Sequence, residues 1–154
     1  MTKVEKEMRV KNSVEQAICL LIIIAHGKNE EHIKSYFLSQ RLDVSDSYLK
    51  KIIRQLVVAG LINSEAGKNG GFTLKKDPAQ ITLCDIFEAI EGKEAFAVAT
   101  GLVEKVFLEE STELKATKQK MILNAFEEAE EAFKAKLRAV TLKMAMKDYT
   151  EDGG

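Results

Sequence analysis

The sequence predicts a mainly α-helical chain with one small β-hairpin and a long closing helix. Three observations carry this prediction. Apolar residues recur at helical spacing through most of the 154 residues, and one proline and nine glycines do little to interrupt them. Between residues 61 and 75 the pattern changes to two short alternating stretches around a glycine-rich turn. From residue 113 onward, a single apolar stripe runs along an otherwise charged surface. Hydrophobic residues at 45% and charged residues at 31% exclude wholesale disorder. Aromatics at 6%, with no tryptophan, leave the core to aliphatic packing.

Residues 1–12 alternate charges without an apolar face and read as a lead-in. Ser13 and Gln16 have capping-box spacing, so a helix is expected from Ser13 to Ala25, ended by Gly27. That helix is apolar nearly all round, which suits a buried central position with Cys19 in the core. A second helix is expected from Ser35, as its cap, to Leu42, with Leu38 and Leu42 inward. Asp43 and Val44 break the chain. Ser45 then caps a third helix whose Leu49, Ile52, Ile53 and Leu56 follow the i, i+3, i+4, i+7 pattern, and Gly60 closes it. Residues 61–65 and 72–75 form the hairpin around the turn at 66–71, and Pro78 ends that unit. Thr82 and Asp85 make a capping box for a fourth helix, which buries Leu83, Ile86, Phe87 and Ile90 and stops at Gly92.

Residues 93–112 are moderately apolar and fit neither period, with Phe96, Val98, Leu102, Val106, Phe107 and Leu108. Residues 113–149 read as one helix with Ile122, Phe126, Ala129, Phe133, Leu137, Val140 and Met144 on its stripe. The expected organisation is a 1–92 domain, a 93–112 connecting segment, a 113–149 dimerisation helix and a 150–154 tail.

The order helix, helix, short break, helix, hairpin, helix is that of the winged helix-turn-helix. Its chemistry follows from the DNA major groove, which admits one α-helix. The third helix offers Asp46, Ser47, Lys50, Lys51, Arg54 and Gln55 outward, with Ser45 and Tyr48 near its tip. From residue 45 to 76 there are six cations against two anions. Lys68, Asn69 and Gly70 at the hairpin tip combine a cation, an amide and bare backbone, which lets a phosphate approach main-chain N–H groups. The whole chain follows the same division. Residues 1–76 carry 13 Lys/Arg against 8 Asp/Glu, and residues 77–154 carry 10 against 16, so the basic half is the one suited to an anionic partner. The candidate DNA contacts are therefore Ser45, Ser47, Tyr48, Lys50, Lys51, Arg54, Lys68, Asn69 and Gly70. The bland alternatives are a solvated face for Lys50, Lys51 and Arg54, and packing of the helix tip for Tyr48.

Other classes find little support. The longest apolar run, residues 17–25, is too short to cross a bilayer. The segment before it mixes Glu5, Glu7 and Glu15 with lysines, unlike a signal peptide, so a cytoplasmic protein is expected. Cys19 and Cys84 make neither a disulfide framework nor a zinc spacing. His26 and His32, with Glu30 and Glu31 between them, match no metal site, and His26 is placed to cap the first helix. Glu127, Glu128, Glu130 and Glu131 read as an exposed helix face. There is no nucleophile elbow, P-loop or paired-carboxylate motif, so neither an enzyme nor a cofactor is expected. Cys84, in the first turn of its helix, is either an oxidisable thiol or a small filler residue.

A family resemblance adds to this reading. Val44-Ser45-Asp46-Ser47-Tyr48-Leu49, Leu56-Val57-Val58-Ala59-Gly60-Leu61-Ile62, Gly70-Gly71-Phe72-Thr73-Leu74, Ile81-Thr82-Leu83-Cys84-Asp85-Ile86 and Glu91-Gly92 resemble the Rrf-two family of bacterial transcription regulators. Its relatives include the iron–sulfur cluster regulator, the nitric-oxide-sensitive repressor and the cysteine-metabolism repressor. Leu137-Arg138-Ala139-Val140-Thr141-Leu142 resembles the family's closing motif. The likeness covers residues 13–92 and that patch. It implies a homodimeric repressor on a near-palindromic operator in double-stranded DNA. The third helix would lie in the major groove and the wing beside it. The long helix would pair subunits through Ile122, Phe126, Phe133, Leu137 and Val140. Cluster-holding members carry three cysteines after the fourth helix, whereas this sequence has none after Cys84. Residues 93–112 thus keep the place of a sensory loop without its ligands, and the effector is not legible. Ser39 stands where members usually have alanine. The rival reading is a helical protein-interaction module with weak or lost DNA binding.

Overall fold

The computed structural model describes residues 12–27 and 32–146. Of these, residues 12–27, 32–92 and 138–146 form one compact unit and residues 93–137 another.

The first unit begins with α1 (Asn12–Ala25), which turns Val14, Ala17, Leu20, Leu21 and Ile24 into the core. Its apolar character is not matched by burial all round. Cys19 lies on the opposite side and is exposed, not in the core as its neighbours suggested. Ser13 lies inside the helix, which already includes Asn12, so it is not the first-turn cap. The lead-in expected over residues 1–11 falls outside the described residues.

Helix α2 (Ser35–Leu42) buries Leu38 and Ser39. Its N-cap is Lys34, one residue before the expected Ser35. The Ser39 hydroxyl donates to the Tyr36 carbonyl at 3.0 Å, so a serine fits this buried position. The chain leaves α2 through Asp43 in the left-handed region (φ 53°, ψ 50°), where Asp is better tolerated than most residues. The Val44 amide then donates to the Ser39 carbonyl at 3.0 Å, closing a tight joint.

Helix α3 (Asp46–Val58) starts as predicted. The Ser45 hydroxyl accepts the Tyr48 N–H at 3.2 Å, satisfying one of the orphan donors of the first turn. Leu49, Ile52, Ile53 and Leu56 are all buried, against α1, α2 and α4 (Leu83–Glu91). Strands β1 (Ile62–Glu65) and β2 (Gly71–Leu74) pair antiparallel, from Ile62 opposite Leu74 to Glu65 opposite Gly71. A short 3-10 turn, Pro78–Gln80, leads to α4. There the capping box between Thr82 and Asp85 is complete, and Gly92 ends the helix.

The second unit holds α5 (Leu102–Val106) and nearly all of α6 (Thr112–Arg138). Here the structure corrects the sequence reading. The predicted helix over 113–149 stops at Arg138, and α7 (Leu142–Met146) follows after a break. At the break the Val140 carbonyl accepts the Leu83 N–H at 2.9 Å, and the Leu142 N–H donates to Ile81 at 2.7 Å. Thr141 thereby forms a bridge to Thr82, and its hydroxyl caps α7 by accepting the Met144 N–H at 3.2 Å. Val140 therefore sits in a strand-like link rather than on a helical stripe. Leu142 is fully buried in the first unit's core. The expected tail at 150–154 lies outside the described residues.

This docking predicts a contrast in stability. Leu142→Ala should cost roughly 2–5 kcal/mol, as for other large-to-small core changes. Met144→Ala, at a site 59% exposed, should cost within about 0.5 kcal/mol. Urea denaturation of both variants checks this. Equal midpoints would mean that the closing segment contributes nothing to the core.

Candidate nucleic-acid interface

Because α3 buries one stripe, its other face must point outward. Ser47, Lys50, Lys51 and Arg54 are all exposed there. The Ser45 hydroxyl is engaged in capping and lies 3.2 Å from the Ser47 hydroxyl. Two residues of the expected outer set turn inward. Tyr48 is half-buried against the core, which supports its packing role. The Gln55 amide donates to the Ile90 carbonyl at 3.4 Å and links α3 to α4.

At the hairpin tip Lys68 and Asn69 are exposed, but Gly70 is not. Its N–H donates to the Gly67 carbonyl at 3.0 Å, and its own carbonyl accepts from the Lys34 ammonium. A Cβ at Gly70 would lie 2.2 Å from the Glu65 carbonyl oxygen. Gly70 therefore closes the turn with its own N–H already engaged, which leaves Lys68 and Asn69 as the outward groups of the tip.

The segment before α2 was missed in the sequence. Ile33 exchanges two backbone hydrogen bonds with Phe72, at 3.1 and 2.9 Å, adding one residue of a third strand to the wing. Gly71 makes room for it, since a Cβ there would lie 2.6 Å from the Ile33 carbonyl oxygen. On one side of Ile33, His32 Nε2 lies 3.1 Å from a Glu65 carboxylate oxygen. On the other, the Lys34 ammonium donates to the carbonyls of Lys68, at 2.7 Å, and Gly70. A lone residue pairing with a distant strand has no period to read.

The structure overturns the core position expected of Cys19, which is exposed, and favours the filler reading of Cys84. Cys84 is buried, and its thiol donates to the Glu88 carboxylate at 3.2 Å. Burial, the hydrogen bond to Glu88 and the charge of that carboxylate push its pKa up to about 11, although Arg138 pulls the other way. At neutral pH it is a protonated filler, not an activated thiol. Exposed Cys19 also titrates above its ordinary value, through partial desolvation and the charge of Glu15.

In the second unit, residues 93–112 fold back along α6. The Phe96 ring packs edge-on against Phe133 with centroids 5.5 Å apart, and its N–H donates to the Glu130 carboxylate at 2.6 Å. The Lys118 ammonium sits 4.2 Å from the Phe107 ring centroid and 2.9 Å from Glu110. Lys115 is buried and reaches Glu104 at 3.4 Å. Phe133 and Leu137 are half-buried, whereas Ile122 and Phe126 remain 43% and 52% exposed. Only part of the predicted stripe is thus open to a partner.

The Rrf2 family model, described as an iron-dependent transcriptional regulator, matches residues 10–148. The chain belongs to the Rrf2 family. It is 44% identical over 104 residues to YwgB of Bacillus subtilis, named as an HTH-type transcriptional regulator, covering 68% of this chain and 67% of that one. It is 38% identical over 135 residues to the similarly named YffB of Lactococcus lactis, covering 88% and 85%. Among solved structures, T. potens IscR matches with a TM-score of 0.65 at 22% identity, over 96% of this chain and 92% of that one. The B. subtilis cysteine regulator CymR matches with a TM-score of 0.61 at 23% identity, over 94% and 100%. These likenesses show that the fold is that of winged-helix Rrf2 regulators. Rrf2 proteins are transcriptional regulators rather than enzymes. Among the described residues, no helix is long and apolar enough to cross a membrane.

The iron in the family description does not fit the donors found among the described residues of this Rrf2 chain. The sequence has two cysteines, and Cys84 is buried with a protonated thiol turned to Glu88. Among the described residues, no three His, Cys, Asp or Glu side chains converge.

The cysteine environments predict their chemistry. At pH 7.5, iodoacetamide should modify Cys19 in the native protein and reach Cys84 only on unfolding. A folded pKa of about 11 against an ordinary 9.0 favours the protonated fold. This contribution is intact below pH 9 and should fade as pH rises towards 11. Mass spectrometry of the modified native protein checks the order, and rapid labelling of Cys84 would contradict the burial.

Proposed function

We propose that this Rrf2 protein is a cytoplasmic, homodimeric repressor that binds a near-palindromic operator in double-stranded DNA. The observation that carries this reading is the basic outer face of α3, with Lys50, Lys51 and Arg54 all exposed, in the same unit as the exposed Lys68 and Asn69 of the wing. In this reading α3 enters the major groove. Ser47, Lys50, Lys51 and Arg54 meet base edges and phosphates, and Lys68 and Asn69 meet the backbone beside it. Arg54 has the fork suited to guanine, while Lys50 and Lys51 act as point charges. Ser45 caps α3 at its tip, and Tyr48 packs that tip against the core. Regulation of transcription places the protein where the DNA is.

Dimerisation is assigned to the open part of the α6 stripe. Ile122 and Phe126 lie one turn apart, and burying each side chain should contribute roughly 1.5–3 kcal/mol. Phe133 is engaged by Phe96 and is the less suitable probe. A homodimer would carry two α3 helices for the two half-sites of the operator.

Two experiments test the proposal. A duplex recovered by selection from a random DNA pool should bind with steep salt dependence. If three cations per subunit meet phosphates, log K against log salt should have a slope of about −5. The Lys50→Ala/Lys51→Ala/Arg54→Ala variant should flatten that slope in fluorescence anisotropy, and a flat slope in the unaltered protein would remove the DNA reading. Separately, Ile122→Asp/Phe126→Asp should sediment as a monomer with unchanged helical circular dichroism. A persistent dimer would place the interface elsewhere.

A further inference from the structure

We infer that Lys34 is a positioning residue for DNA binding, clamping the tip of the wing to the helix pair that presents α3. This inference rests on the DNA-binding reading above.

The hairpin needs such a clamp. It has four paired positions and a five-residue loop between them, with glycine at 67 and 70. A two-stranded hairpin of this size is marginal alone, and glycine leaves the loop backbone the most freedom to lose. Three consecutive residues hold it from one side. His32 reaches the β1 carboxylate of Glu65, Ile33 pairs through its backbone with Phe72 of β2, and Lys34 reaches the loop itself. Of these three, Lys34 is the one that hydrogen-bonds the segment carrying Lys68 and Asn69. Its ammonium donates to the carbonyls on either side of Asn69, those of Lys68 and Gly70.

The anchor is firm because Lys34 is also the N-cap of α2, with its carbonyl accepting the Leu38 N–H at 3.2 Å. Helix α2 packs directly on α3. One residue thus ties the loop to the helix-turn-helix through charge-assisted hydrogen bonds, which are stronger than neutral ones. With two of its three protons committed to carbonyls, the ammonium is not an ordinary exposed phosphate contact. Its effect on DNA is carried by where it holds Lys68 and Asn69.

The test uses the full chain with Lys34→Met, which keeps the apolar stem and removes the donors. In the free protein, the heteronuclear nitrogen-15 NOE of the Asn69 and Gly70 amides should fall, while that of α3 amides stays unchanged. Affinity for the selected duplex should drop roughly tenfold, the scale of one charge-assisted hydrogen bond. In a Lys68→Ala/Asn69→Ala background, the same change should have less than about a twofold effect, because the contacts it positions are gone. An unchanged loop NOE overturns the clamp. An equal loss of affinity in both backgrounds overturns the indirect role and makes Lys34 a DNA contact. If the unaltered protein selects no duplex, the regulator reading fails, and the NOE still decides whether Lys34 holds the loop.

Discussion

Helix α3 can bury only one stripe, and Leu49, Ile52, Ile53 and Leu56 occupy all of it. Each of those side chains contributes roughly 1.5–3 kcal/mol on burial. A typical domain keeps only about 5–15 kcal/mol of net stability, so rotating the helix to bury a cation instead would be prohibitive. This constraint by itself is enough to orient Lys50, Lys51 and Arg54 outward. Ser45 and the left-handed Asp43 complete the effect by setting where α3 begins and how sharply it leaves α2. The basic face is exposed because the apolar face is not.

The wing depends on a different kind of support. Its strands contribute little to the core beyond Ile62, Phe72 and Leu74. It is held from outside by residues 32–34, and the conformation of Gly71 (φ 142°) is what admits Ile33 beside it. Any side chain at that position would both strain the backbone and strike the Ile33 carbonyl. The glycines that looked like an opening for phosphate are thus partly spent on internal packing. The cation and the amide of the tip, Lys68 and Asn69, are left as the outward groups.

The end of α6 illustrates how tertiary structure overrides a local period. The stripe from Ile122 to Met144 keeps helical spacing throughout, and nothing in its propensity demands a stop. The chain nevertheless breaks at 139–141, because backbone bonds to Ile81 and Leu83 and the burial of Leu142 outweigh the few intrahelical bonds lost. Thr141 was the one local hint, a capping residue three positions before Met144. The same competition explains the cysteines. Cys19 sits in a run of apolar neighbours yet faces out, while Cys84 stands beside charged Asp85 yet faces in.

The sequence by itself determined the elements whose causes lie within one turn or one hairpin. These include the Ser45 cap, the Thr82 and Asp85 capping box, the apolar stripe of α3 and the glycine-rich turn between two short strands. All rest on contacts between residues three to five apart, which periodicity and capping chemistry expose directly. The basic candidate surface was legible for the same reason, since a stripe that must go in dictates the face that goes out. Only the tertiary structure decided the exposure of Cys19, the end of α6, the burial of Gly70 and the reach of Lys34 to the wing loop. Each depends on a partner far along the chain, such as the Gly70 carbonyl for Lys34 or Ile81 for Leu142. No local pattern encodes such a meeting, because it exists only once the core has brought the two segments together.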